Sequence, residues 1–161
     1  MTMLAALLLL LNEVFPTTVP DPGFDRGLDY WGMTGHRGYR ADIASNYPAR
    51  PARRWLRVEW AQRNRAPHDA DYRVFTFVAA DRYRGRAVRL SAAVRTRGRG
   101  ASLDVVTEGA SARHALRPNN AWGRQALALR IPRDAVTIQI GFHLRGGGSL
   151  DADDVRLEML R

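Results

Sequence analysis

The chain of 161 residues carries 25 arginines, no lysine and 16 acidic residues, which gives a formal charge of +9. Its length suits one domain, since domains cluster at roughly 100 to 150 residues. Cysteine is absent, which excludes disulfides, thiolate nucleophiles and cysteine-ligated zinc. The positive charge predicts attraction of anionic partners that weakens with added salt, but it selects no particular partner.

The first 19 residues form an apolar N-terminal segment, which we separate from a single folded domain over residues 20–161. The apolar run from Met3 to Leu11 is far shorter than the roughly 20 residues of a membrane-spanning helix. It has the length of a signal-peptide core, yet no basic residue precedes it and no small-residue cleavage site follows. A secreted or periplasmic location is favoured over a cytoplasmic one. A misplaced start codon and a truncated upstream domain remain open.

The stretch "DPGFDRGLDYW", Asp21 to Trp31, combines loop-forming residues with large apolar side chains. Proline, glycine and aspartate favour turns. Phe24 and Trp31 are nevertheless too apolar to leave in water, so we expect them to pack this entry segment against the rest of the fold.

After residue 50 the apolar residues recur with a period of two, which is the pattern of β-strands. The pattern predicts seven strands within the sequences "RRWLRVEWA", "YRVFTFVAA", "AVRLSAAVRT", "ASLDVVTEG", "RQALALRIP", "VTIQIGFHLRGGG" and "SLDADDVRLEML". Glycine, proline and asparagine separate them, and no segment of this half shows a sustained helical period. The chain is therefore predicted to be all-β, an antiparallel β-sandwich.

Four motifs in chain order resemble the galactose-binding-like jelly rolls related to the CenC-type carbohydrate-binding modules. They are the opening Gly-Phe-Asp segment that ends in Trp31, the turn "YRGR" at residues 83–86, the segment from Trp122 to Pro132, and the closing "DDVRL" at residues 153–157. The resemblance spans roughly residues 20 to 160 and implies a jelly-roll sandwich. Thr76 and Asp151 depart from the pattern, so sugar contacts are not carried over.

The resemblance also implies a structural Ca²⁺ ion. In such domains the acidic residue of the opening segment and one aspartate of the closing pair hold the ion, which here implicates Asp25 and Asp154. Calcium prefers 6 to 8 oxygen ligands, which carboxylates and loop carbonyls supply. The alternative is that both carboxylates are solvated or paired with arginine.

Glycan binding needs an aromatic platform surrounded by hydrogen-bonding groups. The best candidates lie on the polar faces of their strands, and they would form a site if those faces line one concave sheet. They are Trp55, Arg57, Arg89, Gln139 and His143. Trp60 and Trp122 are interpreted as packing residues.

Catalysis has little support, because the four histidines are scattered and no metalloprotease, nucleophile-elbow or phosphate-loop motif occurs. The leading prediction is a non-catalytic module that binds a carbohydrate or another small polar ligand. One alternative is a ligand-free accessory domain severed from a bacterial transcriptional regulator. Another is a binder of anionic polymers such as nucleic acid, suggested by the basic turn "RTRGRG" at residues 95–100.

Overall fold

The computed structural model describes residues 15–46 and 50–161. Within those residues the chain forms ten β-strands, one short 3₁₀ helix and no α-helix. The strands in chain order are β1 (Gly32–Gly35), β2 (Tyr39–Asn46), β3 (Arg50–Trp60), β4 (Asp71–Ala79), β5 (Ala87–Arg97), β6 (Ala101–Thr107), β7 (Ala110–Ala115), β8 (Asn119–Arg130), β9 (Thr137–Arg145) and β10 (Ser149–Met159). The 3₁₀ helix is Asp81–Tyr83.

The strands form two five-stranded sheets. Sheet A has the order β1-β4-β9-β6-β7, and sheet B has the order β2-β3-β10-β5-β8. Every pairing is antiparallel. The chain passes from one sheet to the other seven times and stays within one sheet only between β2 and β3 and between β6 and β7. The predicted all-β sandwich is confirmed.

The core lies between the two sheets, because alternate residues of each strand face inward. Val58 and Leu90 of sheet B are buried there opposite Val74, Leu103 and Ile140 of sheet A. The alternate positions of the same strands face outward and form the two outer faces of the sandwich. These faces hold the candidate binding residues.

The entry segment closes one side of the core. Phe24 and Trp31 are buried, with ring centroids 5.0 Å apart, and Trp31 also contacts Phe142 at 6.2 Å. The Val155 amide of β10 donates a hydrogen bond to the Pro22 carbonyl. The prediction that Phe24 and Trp31 pack this segment against the sandwich is confirmed.

The predicted apolar run from Met3 to Leu11 lies outside the described residues. Residues 15 to 19, which we placed in the N-terminal segment, contact the sandwich: the Ala79 amide donates to the Pro16 carbonyl, and Phe15 packs on Phe77 with centroids 5.6 Å apart. Among the described residues, no helix has the length and apolar character needed to cross a bilayer.

Candidate functional site

The five predicted ligand residues lie on two opposite outer faces. β3 and β5 belong to sheet B, so Trp55, Arg57 and Arg89 lie on its outer face, whereas β9 belongs to sheet A and carries Gln139 and His143. The premise that these residues line one concave sheet is wrong. Strand alternation tells which face of its own sheet a residue occupies, but not which sheet the strand joins.

Arginines and a buried aspartate dominate the outer face of sheet B. Asp151 is 3% exposed and accepts hydrogen bonds from the guanidinium groups of Arg57 and Arg95, which lie on the two flanking strands. The hydrogen bond to Asp151 raises the pKa of Arg57. The two guanidinium groups are therefore engaged with a single carboxylate.

Trp55 lies on this face but is not an exposed platform. Its side chain is 6% exposed, and its ring meets the edge of Trp122 at a centroid distance of 6.0 Å. Trp122 is covered in turn by the guanidinium groups of Arg53 and Arg95, at 5.5 and 5.1 Å from the ring centroid. Trp122 packs against other side chains, as predicted, but it does so on the outer face. A sugar could stack on the Trp55 ring only by displacing Trp122.

Arg89 lies apart from this cluster. It is six residues from Arg95 along β5, about 20 Å at the rise of an extended strand, and it pairs with Glu158 at 3.0 Å on the exposed surface. The binding roles of Trp55, Arg57 and Arg89 stay predictions, and their contacts within the protein account for all three.

The outer face of sheet A is more open. Gly141 of β9 has no side chain, and the space above it forms a depression of about 40 Å³ lined by Arg73, Phe75, Arg113 and Gln139 among others. A Cβ added at Gly141 would meet the Val74 carbonyl at 2.5 Å. The backbone of β4 therefore lies too close to Gly141 for any side chain at this position, and the depression lies over this close contact between the two strands.

Polar side chains with different hydrogen-bonding capacities surround this depression. The Arg113 guanidinium donates to both oxygens of Asp104, at 3.0 and 2.9 Å, and the Ser102 hydroxyl donates to the same carboxylate at 2.8 Å. Arg73 is exposed, with its Nε 3.9 Å from Asp71. The Gln139 amide supplies both a donor and an acceptor. This variety of groups matches the hydroxyl edges of a sugar.

Aromatic side chains continue the open surface toward β1. Phe75 and Phe77 project outward from β4, half-buried, with centroids 5.7 Å apart in an edge-to-face arrangement. Together with Phe15 and the exposed Tyr30 they line a shallow groove of about 240 Å³. Phe75 borders both this groove and the Gly141 depression, so apolar and polar surfaces are contiguous.

His143, four residues from Gln139 on the same strand, is buried on this face. One ring nitrogen lies 3.2 Å from an Asp71 carboxylate oxygen. Burial lowers the pKa of His143, although the hydrogen bond to Asp71 opposes that shift. The imidazole is therefore predominantly neutral at pH 7 and contributes hydrogen-bonding capacity rather than charge.

Sequence reasoning missed Phe75, Arg73, Gly141 and Arg113 as site residues. Phe75 lies in the predicted strand "YRVFTFVAA", in which large apolar residues occupy both faces, so the alternation does not mark either face as exposed. The glycine inside the strand was a usable signal, since such glycines often mark close approach of a ligand or another backbone. Arg113 lies on β7, which the alternation pattern did not predict.

The structure places the two predicted calcium ligands in different surroundings. The Asp154 carboxylate accepts hydrogen bonds from Arg124 and Arg156, and the bond from Arg156 holds the pKa of Asp154 below its ordinary value. Asp25 is exposed on the entry segment. The donor pair Asp25 and Asp154 therefore does not fit a shared ion.

The neighbouring aspartate is better placed. A Cβ built on Gly23 would lie 3.5 Å from an Asp25 carboxylate oxygen and 4.0 Å from an Asp153 carboxylate oxygen. These two carboxylates thus border the space that the missing side chain leaves. Across the described ranges 15–46 and 50–161, no group of three or more histidine, aspartate or glutamate side chains is placed to hold a metal ion. The calcium ion stays a prediction.

No protein-family model matches this sequence, and no curated protein matches it. Solved structures do match. The enzymatically active domain of tailspike protein 4 from bacteriophage CBA120 aligns with a TM-score of 0.72 and 13% identity over 89% of this chain, which spans only 21% of that chain.

Most of the similar structures are carbohydrate-binding modules. A CBM4 structure aligns with a TM-score of 0.63 and 15% identity, covering 88% of this chain and 99% of that one. TmCBM61 in complex with β-1,4-galactotriose aligns with a TM-score of 0.60 and 13% identity, covering 88% and 97%. Likeness at this identity shows the fold, and the predicted jelly-roll sandwich of carbohydrate-binding modules is confirmed.

Proposed function

We propose that the chain is a non-catalytic module that binds a glycan on the outer face of sheet A. The observation that carries this proposal is the depression at Gly141, with Phe75 on one side and Arg73, Arg113 and Gln139 around it. An aromatic ring can pack on the CH face of a sugar while the polar groups bind its hydroxyls. Ligands bound in similar structures support the proposal. TmCBM61 was solved with β-1,4-galactotriose, and the xylanase 10B modules of Clostridium thermocellum were solved with xylohexaose.

The side chains that could suggest catalysis are engaged in other contacts. Ser102 and His143 are register partners on β6 and β9, and Asp71 bonds to His143. The Ser102 hydroxyl, however, donates to Asp104 and is buried, so it is not presented as a nucleophile. Asp151 and Asp153 of the acidic closing segment lie on sheet B and are paired with Arg57 and Arg53 of the neighbouring strand β3. These contacts favour binding over hydrolysis.

Binding of xylohexaose and β-1,4-galactotriose, measured by calorimetry and affinity electrophoresis, tests the proposal. Phe75→Ala is expected to weaken binding about tenfold, because a stacked aromatic contributes roughly 0.5–1.5 kcal/mol beyond the area that it buries. Trp122→Ala, which removes an aromatic from the opposite sheet, is the matched control and is expected to retain the wild-type affinity. Unchanged affinity in folded Phe75→Ala, or no binding to any saccharide, would contradict the proposal.

We also propose that Asp25 and Asp153 hold a structural Ca²⁺ ion where the entry segment meets β10. Their carboxylates border the space beside Gly23, and the Pro22 carbonyl nearby accepts the Val155 amide. Bound calcium would hold the entry segment against β10 by coordinating carboxylates from both, and it would have no catalytic role. Arg53, which pairs with Asp153 at 2.9 Å, competes for that carboxylate.

A further inference from the structure

A second groove continues the outer face of sheet A beyond Arg113. It has a volume of about 800 Å³ and opens between the β5–β6 turn, β7 and the end of β9. Arg99, Arg117 and Arg145 project around it, and His143 lies buried in its wall. We call this surface, defined by Arg99, Arg117 and Arg145, the basic groove.

The basic groove carries uncompensated positive charge. Within residues 15–46 and 50–161, Arg99, Arg117 and Arg145 form no ion pair, whereas Arg73 and Arg113 on the same face do. Arg113, at the boundary, is neutralised by Asp104. No aspartate or glutamate lines the groove. Asp71 is the cross-strand partner of Arg145, but its carboxylate lies against His143 instead, at 3.2 Å. The three exposed guanidinium groups therefore face one open space without an ion pair of their own.

The backbone that carries these arginines is held in place. Gly98 and Gly100 flank Arg99 and adopt left-handed conformations with φ of +85° and +96°. The Arg145 amide donates to the Gly100 carbonyl at 3.0 Å, and the Leu116 amide donates to the Ala101 carbonyl at 2.8 Å. These bonds tie the β5–β6 turn to the end of β9 and the start of the β7–β8 connection. Such pre-organisation lowers the cost of ordering the site on binding.

The basic groove and the Gly141 depression share Arg113 and lie along one strand. Gln139 and Arg145 are six residues apart on β9, about 20 Å in extended backbone. A linear polymer lying along β9 would therefore contact the aromatic and amide groups at one end and the arginines at the other.

We propose that the ligand of this face is an acidic polysaccharide, whose anionic groups bind Arg99, Arg117 and Arg145 while an uncharged sugar face packs at Phe75. The inference rests on the proposed glycan binding and names its ligand class. Arginine suits carboxylate and sulfate because its planar fork donates two parallel hydrogen bonds. Nucleic acid is the competing anionic polymer, because the same arginines would also bind phosphate, and its binding is one outcome of the test.

The test compares hexagalacturonate with xylohexaose at ionic strengths of about 0.01 M and about 0.15 M, between which the Debye length falls from roughly 30 Å to roughly 8 Å. A heparin-derived hexasaccharide distinguishes sulfate from carboxylate, and a single-stranded oligodeoxynucleotide distinguishes nucleic acid. The groove variant combines Arg99→Gln, Arg117→Gln and Arg145→Gln. The control variant removes three exposed arginines from the opposite end of the sandwich, Arg86→Gln, Arg133→Gln and Arg161→Gln.

Each exposed ionic contact is worth up to about 1 kcal/mol, so the groove variant is expected to weaken hexagalacturonate binding by roughly 10- to 100-fold. Its affinity for xylohexaose should stay within about threefold of wild type, and the control variant should bind both probes normally. Equal losses in the two triple variants, or no preference for acidic probes, would overturn the acidic-ligand inference alone. Tighter binding of the oligodeoxynucleotide would assign the groove to nucleic acid instead. Failure of every saccharide to bind would overturn glycan binding itself.

Discussion

Asp151→Asn should destabilise the fold without weakening glycan binding. Asp151 has a side chain that is 5% exposed and accepts hydrogen bonds from the Nε and NH2 groups of both Arg57 and Arg95. The substitution keeps the size of the side chain but removes its charge. It leaves two cations close together on the outer face of sheet B with no anion between them.

The magnitude follows from the burial of the three groups. Removing one partner of a buried ion pair costs about 3–5 kcal/mol. Arg57 and Arg95 are 36% and 22% exposed, so both can turn partly to water. We therefore expect the free energy of unfolding to fall by about 2–3 kcal/mol. For a chain of this length that corresponds to a drop of roughly 4–12 °C in the thermal midpoint.

Chemical denaturation followed by tryptophan fluorescence, together with calorimetry, measures this loss. Asp134→Asn is the matched control, because Asp134 lies exposed in the β8–β9 connection and forms no ion pair within the described chain. Replacing the whole network by Arg57→Met, Arg95→Met and Asp151→Leu should recover most of the stability, since apolar side chains of similar size often substitute for buried ion networks.

Two results would refute this reasoning. A loss no larger than that of Asp134→Asn would mean that water, not Asp151, satisfies the two guanidinium groups. Reduced affinity of folded Asp151→Asn for xylohexaose would mean that the outer face of sheet B, with Trp55 and Arg57, belongs to the ligand site after all.

Three further expectations follow from the structure. Ca²⁺ at about 100 times its dissociation constant should raise the thermal midpoint by roughly 5–10 °C. Asp25→Asn should abolish that rise, whereas Asp154→Asn should not. No rise in the wild type would contradict the proposed calcium site. Because the folded pKa of His143 is lowered, unfolding should become easier as pH falls below about 6.5, the ordinary pKa of histidine, and the trend should level off below the folded pKa. His143→Gln should lack this step in denaturation series between pH 8 and pH 5, and a persisting step would assign it to another group. Gly141→Ala should cost about 1–3 kcal/mol, because its Cβ would clash with the Val74 carbonyl; a wild-type midpoint would show that the strands can part there.

Strand alternation predicted much of the fold because it reports burial directly. The ladder from Val136 to Leu144 matches β9, in which Ile138, Ile140, Phe142 and Leu144 are buried. The entry segment was also predictable, since Phe24 and Trp31 have no other way to leave water. β1, β2 and β7 were missed for a related reason: they lie at sheet edges, where a strand such as "ASARHA" buries few side chains and shows no apolar period.

The candidate site was less predictable because it depends on sheet membership. Gln139 and His143 were correctly placed on the polar side of their strand. The alternation pattern does not reveal, however, that this side and the polar side that carries Trp55 belong to different sheets. Only the hydrogen-bonded order of the strands separates them. Gly141, as a glycine inside a strand, signals close approach, but the sequence does not tell whether a ligand or another strand approaches it.

The choice between the closing aspartates shows the same limit at the scale of one residue. The pairing of β10 with β5 shifts register between Asp153 and Arg156, and Asp154 there adopts a left-handed conformation with φ of 50°. This irregularity turns the Asp154 carboxylate toward Arg124 and Arg156 and leaves Asp153 beside the entry segment. In a regular strand without the bulge, Asp153 and Asp154 would face opposite sides of the sheet, as the alternation of side chains predicts. The proposal that Asp153 rather than Asp154 would bind calcium therefore rests on the backbone geometry of the bulge, which two adjacent aspartates in a sequence do not reveal.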